Sequence, residues 1–280
     1  MPQVNTSRDF ATLVQEMHGL QKKILVEGDS WVSHPLLANL TVQFDQFGKG
    51  GYAILNLAQP GDTASRMLSP GGKQFKELAS LIVNEKYGYK WDLIFLSAAG
   101  NDIVGDEIET ENYVNSKIAN DGLSGRQLIS QSYRDRINAV AEDYQNLITF
   151  RDQSQANPET PIITHVYSYL TPRMVGTKVF GAMLGKGWVQ RYLIPKGIVD
   201  EEEQKDVVRG MMDYYWDAML ALQKNNKGFL VADTRLTLST SDTQPNMDWW
   251  HDEIHPNYTG FKRVAEAIRD AARSSGMWLD

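Results

Sequence analysis

The sequence predicts a three-layer α/β/α protein built on a flavodoxin-like, doubly wound parallel sheet, and two observations carry that expectation. Short, nearly continuous apolar runs alternate with longer amphipathic segments along most of the 280 residues, and the first three runs stop at polar, glycine-containing loops. Strands that are apolar throughout are buried on both faces, as in a parallel sheet covered by helices on each side. Ligands of such sheets bind beyond the carboxyl ends of the strands, so the loops that follow the runs are where chemistry is expected.

The first run covers 24–26 and ends at Glu27, Gly28, Asp29 and Ser30. The second covers 52–57 and ends at Gln59, Pro60, Gly61 and Asp62. The third, 91–96, runs into Ala99, Gly100, Asn101 and Asp102, and two more follow at 161–166 and 228–231. Between them, apolar spacing predicts helices over 36–44, 73–86, 125–151 and 201–223, with a last one over 258–273. Residues 103–124 and 171–200 fit this alternation poorly. They read as insertions over the sheet edge of a single domain spanning 1–280, because no repeat, low-complexity tract or linker divides the chain.

Composition removes whole classes of function. Hydrophobic residues at 42% and charged residues at 22% describe a folded globular chain. A net charge of -7 without a Lys/Arg cluster argues against a nucleic-acid partner. The absence of cysteine excludes disulfides, a thiolate nucleophile and Cys-ligated zinc. No stretch approaches the roughly 18 apolar residues of a membrane span, and the first residues, MPQVNTSRDFATLVQEMHGLQKK, lack a signal-type apolar run. The expectation is a cytoplasmic protein.

Near the C-terminus stand Asp252, Glu253, Ile254, His255 and Pro256. An Asp three residues before a His can fold back within one turn to accept the Nδ1 proton, which leaves Nε2 free to take a proton from a nucleophile. The same spacing occurs four residues earlier, in Asp248 and His251, so spacing alone leaves both pairs open. Other short motifs fail on inspection. HDEIH lacks the Glu directly after the first His that a zinc protease needs, FGKGGYA precedes a strand instead of following one, and GAMLGKG is one residue short of a phosphate loop. No GxSxG elbow surrounds Ser30. Of the remaining histidines, His18 reads as exposed, His165 as a core or supporting residue, and His34 as a candidate wall of the site.

A strand followed by Gly28, Asp29 and Ser30, a glycine (Gly61) after the second strand, Gly100-Asn101-Asp102 after the third and a terminal Asp-x-x-His-Pro together resemble the SGNH (GDSL-like) hydrolases, over residues 24 to about 273. The resemblance implies Ser30 as nucleophile with Asp252 and His255 as the rest of a triad. His255 is preferred to His251 because the family's histidine directly precedes a proline and a short loop into the last helix. It further implies an oxyanion hole from the backbone amides of Ser30 and Gly61 and the side-chain amide of Asn101, with no cofactor and no metal. The chemistry suits each role: an alcohol is a poor nucleophile without an adjacent base, and each pre-aimed oxyanion donor is worth roughly 3 kcal/mol. Trp31 stands where the family's motif has Leu, a change expected to leave the chemistry untouched, and Asp29 is expected to organise its loop. The implied activity is serine esterase action on a small-molecule carboxylic ester through an acyl-enzyme. Apolar residues within 171–200, among them Phe180, Met183, Leu184 and Trp188, favour a lipid-like or aryl ester. Removal of acetyl groups from a carbohydrate, or an idle binding protein on the same scaffold, are the alternatives.

Overall fold

The computed structural model describes residues 3–16, 22–34, 38–83, 89–179, 182–184, 187–241 and 244–279. In chain order the elements are β1 (Gln3–Val4), α1 (Ser7–Glu16), β2 (Lys22–Gly28), α2 (Ser30–Ser33), α3 (Leu40–Gly48), β3 (Tyr52–Asn56), α4 (Ala64–Leu68), α5 (Phe75–Val83), β4 (Leu93–Ser97), α6 (Gly100–Ile103), α7 (Glu107–Thr110), α8 (Gln131–Gln153), β5 (Ile162–Val166), β6 (Thr177–Val179), β7 (Ala182–Leu184), α9 (Gln190–Leu193), α10 (Glu201–Asn225), β8 (Phe229–Asp233) and, after a short hairpin, α11 (Tyr258–Ser274).

Six strands form one parallel sheet in the order β1-β3-β2-β4-β5-β8. Strands β3, β4 and β5 are buried at every position, which accounts for their unbroken apolar runs. The chain steps from β2 to β3 on one side and then crosses to β4 on the other, so the point where the winding reverses lies at β2. Helices α3 and α11 pack together on one face, while α4, α5 and α10 each pack against α8 on the other. Rings interlock beneath the first pair: Phe44 meets Phe95 edge-on at 4.7 Å, and Phe261 meets Trp31 at 5.6 Å. The doubly wound α/β/α architecture expected from the strand-helix alternation is the one observed.

Where boundaries differ from the sequence reading, capping decides them. Helix α3 starts at Leu40 because the Asn39 side chain accepts the Val42 N–H at 3.1 Å. The stretch read as one helix over 125–151 is a single turn at Gly125–Leu128 followed by α8, whose first turn is closed by Ser130 Oγ accepting from Tyr133 N at 3.3 Å. The edge strand β1 and helix α1 have no counterpart in the sequence reading; two residues are too few for a periodic signal. Among the described residues, no helix is long and apolar enough to cross a membrane.

Within 171–200, Arg173, Val189 and Gln190 donate backbone N–H groups to Glu253 in the Asp252–His255 turn, at the carboxyl end of the sheet. Polar backbone groups of a loop need partners, and the turn supplies them. Phe180 and His18 lie outside the described residues.

Candidate active site

Strand β2 delivers Ser30 to the carboxyl end of the sheet. The carboxylate of Asp29 accepts the Trp31 N–H at 2.9 Å and caps the short helix α2, which fixes Ser30 at its first position. Ser30 is 9% exposed. Its Oγ lies 2.8 Å from His255 Nε2, across 225 residues of sequence.

His255 comes from the loop before α11, where Asn257 caps the helix by accepting from Gly260 N at 3.1 Å. His255 Nδ1 is 2.9 Å from Asp252 Oδ2, and Asp252 Oδ1 also accepts the N–H groups of Ile254 at 3.0 Å and His255 at 2.8 Å. The one-turn fold-back anticipated from the Asp-x-x-His spacing is thus the geometry present. Asp252 is fully buried and stays within this turn. His251 is a neighbour of the turn, its N–H donating to the His255 carbonyl at 2.8 Å, but its side-chain Nε2 is buried without a hydrogen-bond partner among the described residues, and Asp248 is exposed. His34 meets the His255 ring at 5.1 Å, and burial pulls its pKa down to about 4, so at neutral pH it is an uncharged wall.

The loops after β3 and β4 are held together. Asn101 Nδ2 donates to the Asp62 carbonyl at 3.1 Å, which aims the amide and leaves its second hydrogen to donate. Gly61, next to Asp62, has φ +86°, a backbone state that suits glycine. Asp102 accepts the Ala64 N–H at 2.7 Å and pairs with Arg136, tying α6 to α4. Three tyrosines brace the loop from below. Tyr215 Oη donates to the Ala98 carbonyl at 2.9 Å, Tyr144 Oη reaches the same carbonyl at 3.5 Å, and Tyr167 Oη accepts the Gly100 N–H at 3.1 Å. That bracing holds Ala99 at φ +96°, a strained conformation for a residue with a Cβ.

Tyr167 also donates to Asp29 at 2.5 Å, joining the Ser30 loop to the Asn101 loop. Behind them, Ser97 Oγ contacts Asp29 at 3.3 Å and His165 Nε2 at 3.0 Å. Burial raises Asp29 to about 6 and lowers His165 to about 4, so His165 is a neutral core residue under the site. Trp31 stacks on His165 at 5.4 Å, and its indole N–H donates to the Ile254 carbonyl at 3.2 Å. The tryptophan in the leucine position of the motif therefore leaves the reacting atoms alone but ties the Ser30 helix to the His255 turn.

A cavity of about 40 Å³ opens beside Ser30 and Asn101, walled mainly by Trp31, Ile103, Leu170, Met212 and Trp250. Sequence reading missed Tyr167, Trp31 and Asp102 as supports of the site. Asp102 stood inside a quoted motif, whereas nothing local in Tyr167 or its neighbours distinguishes it from a core aromatic.

No family model matches the sequence, and no curated protein matches it. Solved structures do. A protein from Streptococcus pneumonia provisionally described as a platelet activating factor matches over 94% of this chain and 89% of its own, at 15% identity and a TM-score of 0.52. A provisionally assigned SGNH hydrolase from Slackia heliotrinireducens matches over 90% and 98%, at 12% identity and a TM-score of 0.49. A carbohydrate acetylesterase from Sinorhizobium meliloti matches over 92% and 100%, at 14% and 0.47. Likeness at such identities speaks to architecture and not to activity. By its parallel sheet and its helical layers, the chain shares the α/β architecture of the first of these structures.

Proposed function

We propose that this protein is a serine esterase that hydrolyses carboxylic esters of short acyl groups through an acyl-enzyme. The observation that carries the reading is the continuous line Ser30 Oγ, His255 Nε2, His255 Nδ1, Asp252 Oδ2, with contacts of 2.8 and 2.9 Å. In the first half-reaction Ser30 Oγ bonds to the ester carbonyl carbon while its proton passes to His255 Nε2. The carbonyl oxygen, now an anion, takes hydrogen bonds from the Asn101 amide and the backbone N–H groups of Ser30 and Gly61. The C–O bond to the alcohol breaks and the alkoxide takes the proton from His255, leaving Ser30 acylated. Water then attacks with His255 again as base, releasing the acid and restoring Ser30. Asp252 holds the imidazole in the tautomer that this requires and stabilises its positive charge.

The small cavity at Ser30 supports a short acyl group instead of the lipid-like one expected from residues 171–200. A water needs roughly 10–15 Å³ of such space, so about 40 Å³ admits a few heavy atoms. An O-acetylated carbohydrate is compatible with this reading. Hydrolysis of p-nitrophenyl esters from acetate to octanoate, with fluorophosphonate labelling, tests both parts. Expected are labelling at Ser30, abolition of labelling and hydrolysis by Ser30→Ala, and a kcat/KM at least tenfold lower for octanoate than for acetate. Labelling elsewhere, or a fully active Ser30→Ala protein, refutes the mechanism; a preference for octanoate refutes the acyl assignment alone.

A further inference from the structure

The Asp-x-x-His turn contains a buried acid that the proposed reaction does not use. Glu253, between Asp252 and His255, is 1% exposed. Its carboxylate accepts four backbone N–H groups from a single distant stretch: Arg173 and Gln190 on Oε1 at 2.8 and 2.9 Å, Val189 on Oε2 at 2.9 Å, and Trp188 on the same oxygen. The turn and the stretch are bonded in two further places. Glu253 N donates to the Val175 carbonyl at 3.2 Å, and the Arg173 guanidinium donates to the Asp252 carbonyl at 2.6 Å.

The approach is so close that only glycine fits at 187. Its φ is +86°, and a Cβ there would fall 2.5 Å from Glu253 Oε2 and 2.7 Å from the Arg173 carbonyl. The next residue, Trp188, stands edge-on to the His255 ring at 5.5 Å with planes at 88°. Its carbonyl accepts the Gly105 N–H at 3.0 Å, which attaches it also to the loop beyond Asn101.

We propose that Glu253 is a positioning residue, whose carboxylate clasps Arg173 and residues 187–190 onto the catalytic turn so that Trp188 walls the His255 imidazole; this rests on reading Ser30, His255 and Asp252 as the active site. A buried carboxylate is a costly fastener. Burial pushes its pKa up while the four N–H bonds pull it down, and apolar packing would hold a loop at lower cost. What the carboxylate adds is direction, because four donors converging on two oxygens fix both the turn and the tryptophan. Misplacing a base by an ångström costs about two orders of magnitude in rate, so the gain falls on catalysis.

The experiment compares Glu253→Gln, Trp188→Ala, their double variant and Gly187→Ala, the last forcing the clasp open by steric contact while keeping the carboxylate itself. In Glu253→Gln an NH2 group replaces one acceptor and faces N–H donors. Expected are a ~10-fold to 100-fold fall in kcat with KM changed less than ~3-fold in each single variant, and a double variant no slower than the worse single within ~2-fold. Two readouts need no activity. Tryptic cleavage after Arg173 or Arg191 should accelerate in Glu253→Gln and Gly187→Ala, and carbethoxylation of His255 by diethyl pyrocarbonate, followed by peptide mass spectrometry, should accelerate in all variants. Wild-type protection of His255 in Glu253→Gln and Gly187→Ala, or kcat losses that multiply in the double variant, would overturn the assignment. If hydrolysis independent of Ser30 or no hydrolysis at all is found, the esterase reading fails while protection of His255 still decides the clasp.

Discussion

The two sides of the site are held by opposite means. Ser30 and Asn101 sit on strand ends, braced from beneath by buried side chains: Asp29, Tyr167, Tyr215 and Ser97. His255 sits in a loop, oriented by Asp252 within one turn and by a carboxylate that gathers backbone amides from far along the chain. On the sheet side the backbone is already placed by strand pairing, and side chains refine it. On the loop side strand pairing is reduced to the isolated bridge between Trp250 and Pro256, so hydrogen bonds to main-chain groups do most of that work. Losses on the loop side should therefore fall on the reacting geometry, and losses on the sheet side should divide between rate and stability.

The strongest way to break that contrast is to remove the base. His255→Ala should lower kcat/KM by about 10⁴-fold or more, as loss of a triad histidine does, while His251→Ala should change it by less than about tenfold because His251 has no contact with Ser30. Steady-state kinetics on p-nitrophenyl acetate reads both. An inert His251→Ala beside an active His255→Ala would move the base to the other pair and leave the fold assignment intact.

A smaller effect tests the sheet side. Asn101→Ala should lower kcat ~100-fold to 1000-fold with little change in KM, since an oxyanion donor acts in the transition state. Tyr167→Phe removes the acceptor of the Gly100 N–H and the donor to Asp29 without moving Asn101 itself. It should cost about tenfold in kcat, or ~1.4 kcal/mol, together with a lower Tm. A Tyr167→Phe protein as slow as Asn101→Ala would mean that the sheet side depends on its braces as fully as the loop side does.

The smallest effect lies beneath the site and leaves the chemistry alone. Glu27, next to Gly28 in β2, is buried; one oxygen accepts the Gly28 N–H at 3.0 Å and the other has no hydrogen-bond partner among the described residues. Burial raises its pKa from 4.5 to about 8. The folded state therefore keeps a proton that the unfolded chain releases near 4.5, and this contribution to stability is lost as pH rises from there through about 8. Glu27→Gln removes the titration, so the Tm of the variant relative to wild type should climb between pH 5 and pH 8.5. Parallel Tm curves for the two proteins across that range would refute the shift.

Much of the sheet side was legible because its signals are local. A strand buried on both faces must be apolar throughout, and its end must be polar, so Gly28 to Ser30 and Gly100 to Asp102 announce themselves. Asp252 and His255 were legible as a pair because a three-residue spacing closes within one turn. Choosing them over Asp248 and His251 needed the resemblance built on Pro256, since both pairs satisfy the spacing. The contacts of residues 171–200 were not legible for the converse reason: Arg173, Val189 and Gln190 offer backbone N–H groups to a carboxylate more than 60 residues away, and backbone donors leave no trace in composition.

The sequence by itself determined the layered α/β architecture and the four loops that carry polar chemistry, because burial on two faces and one-turn hydrogen bonds are written in neighbouring residues. Only the tertiary structure decided that Ser30 meets His255 across 225 positions, that Tyr167 bridges two loops, that Trp31 ties the Ser30 helix to the His255 turn, and that the cavity at Ser30 is small. Those are distances between segments set by how the sheet winds and how the loops close over it. No pattern along a single chain encodes a separation that depends on the packing of all the others.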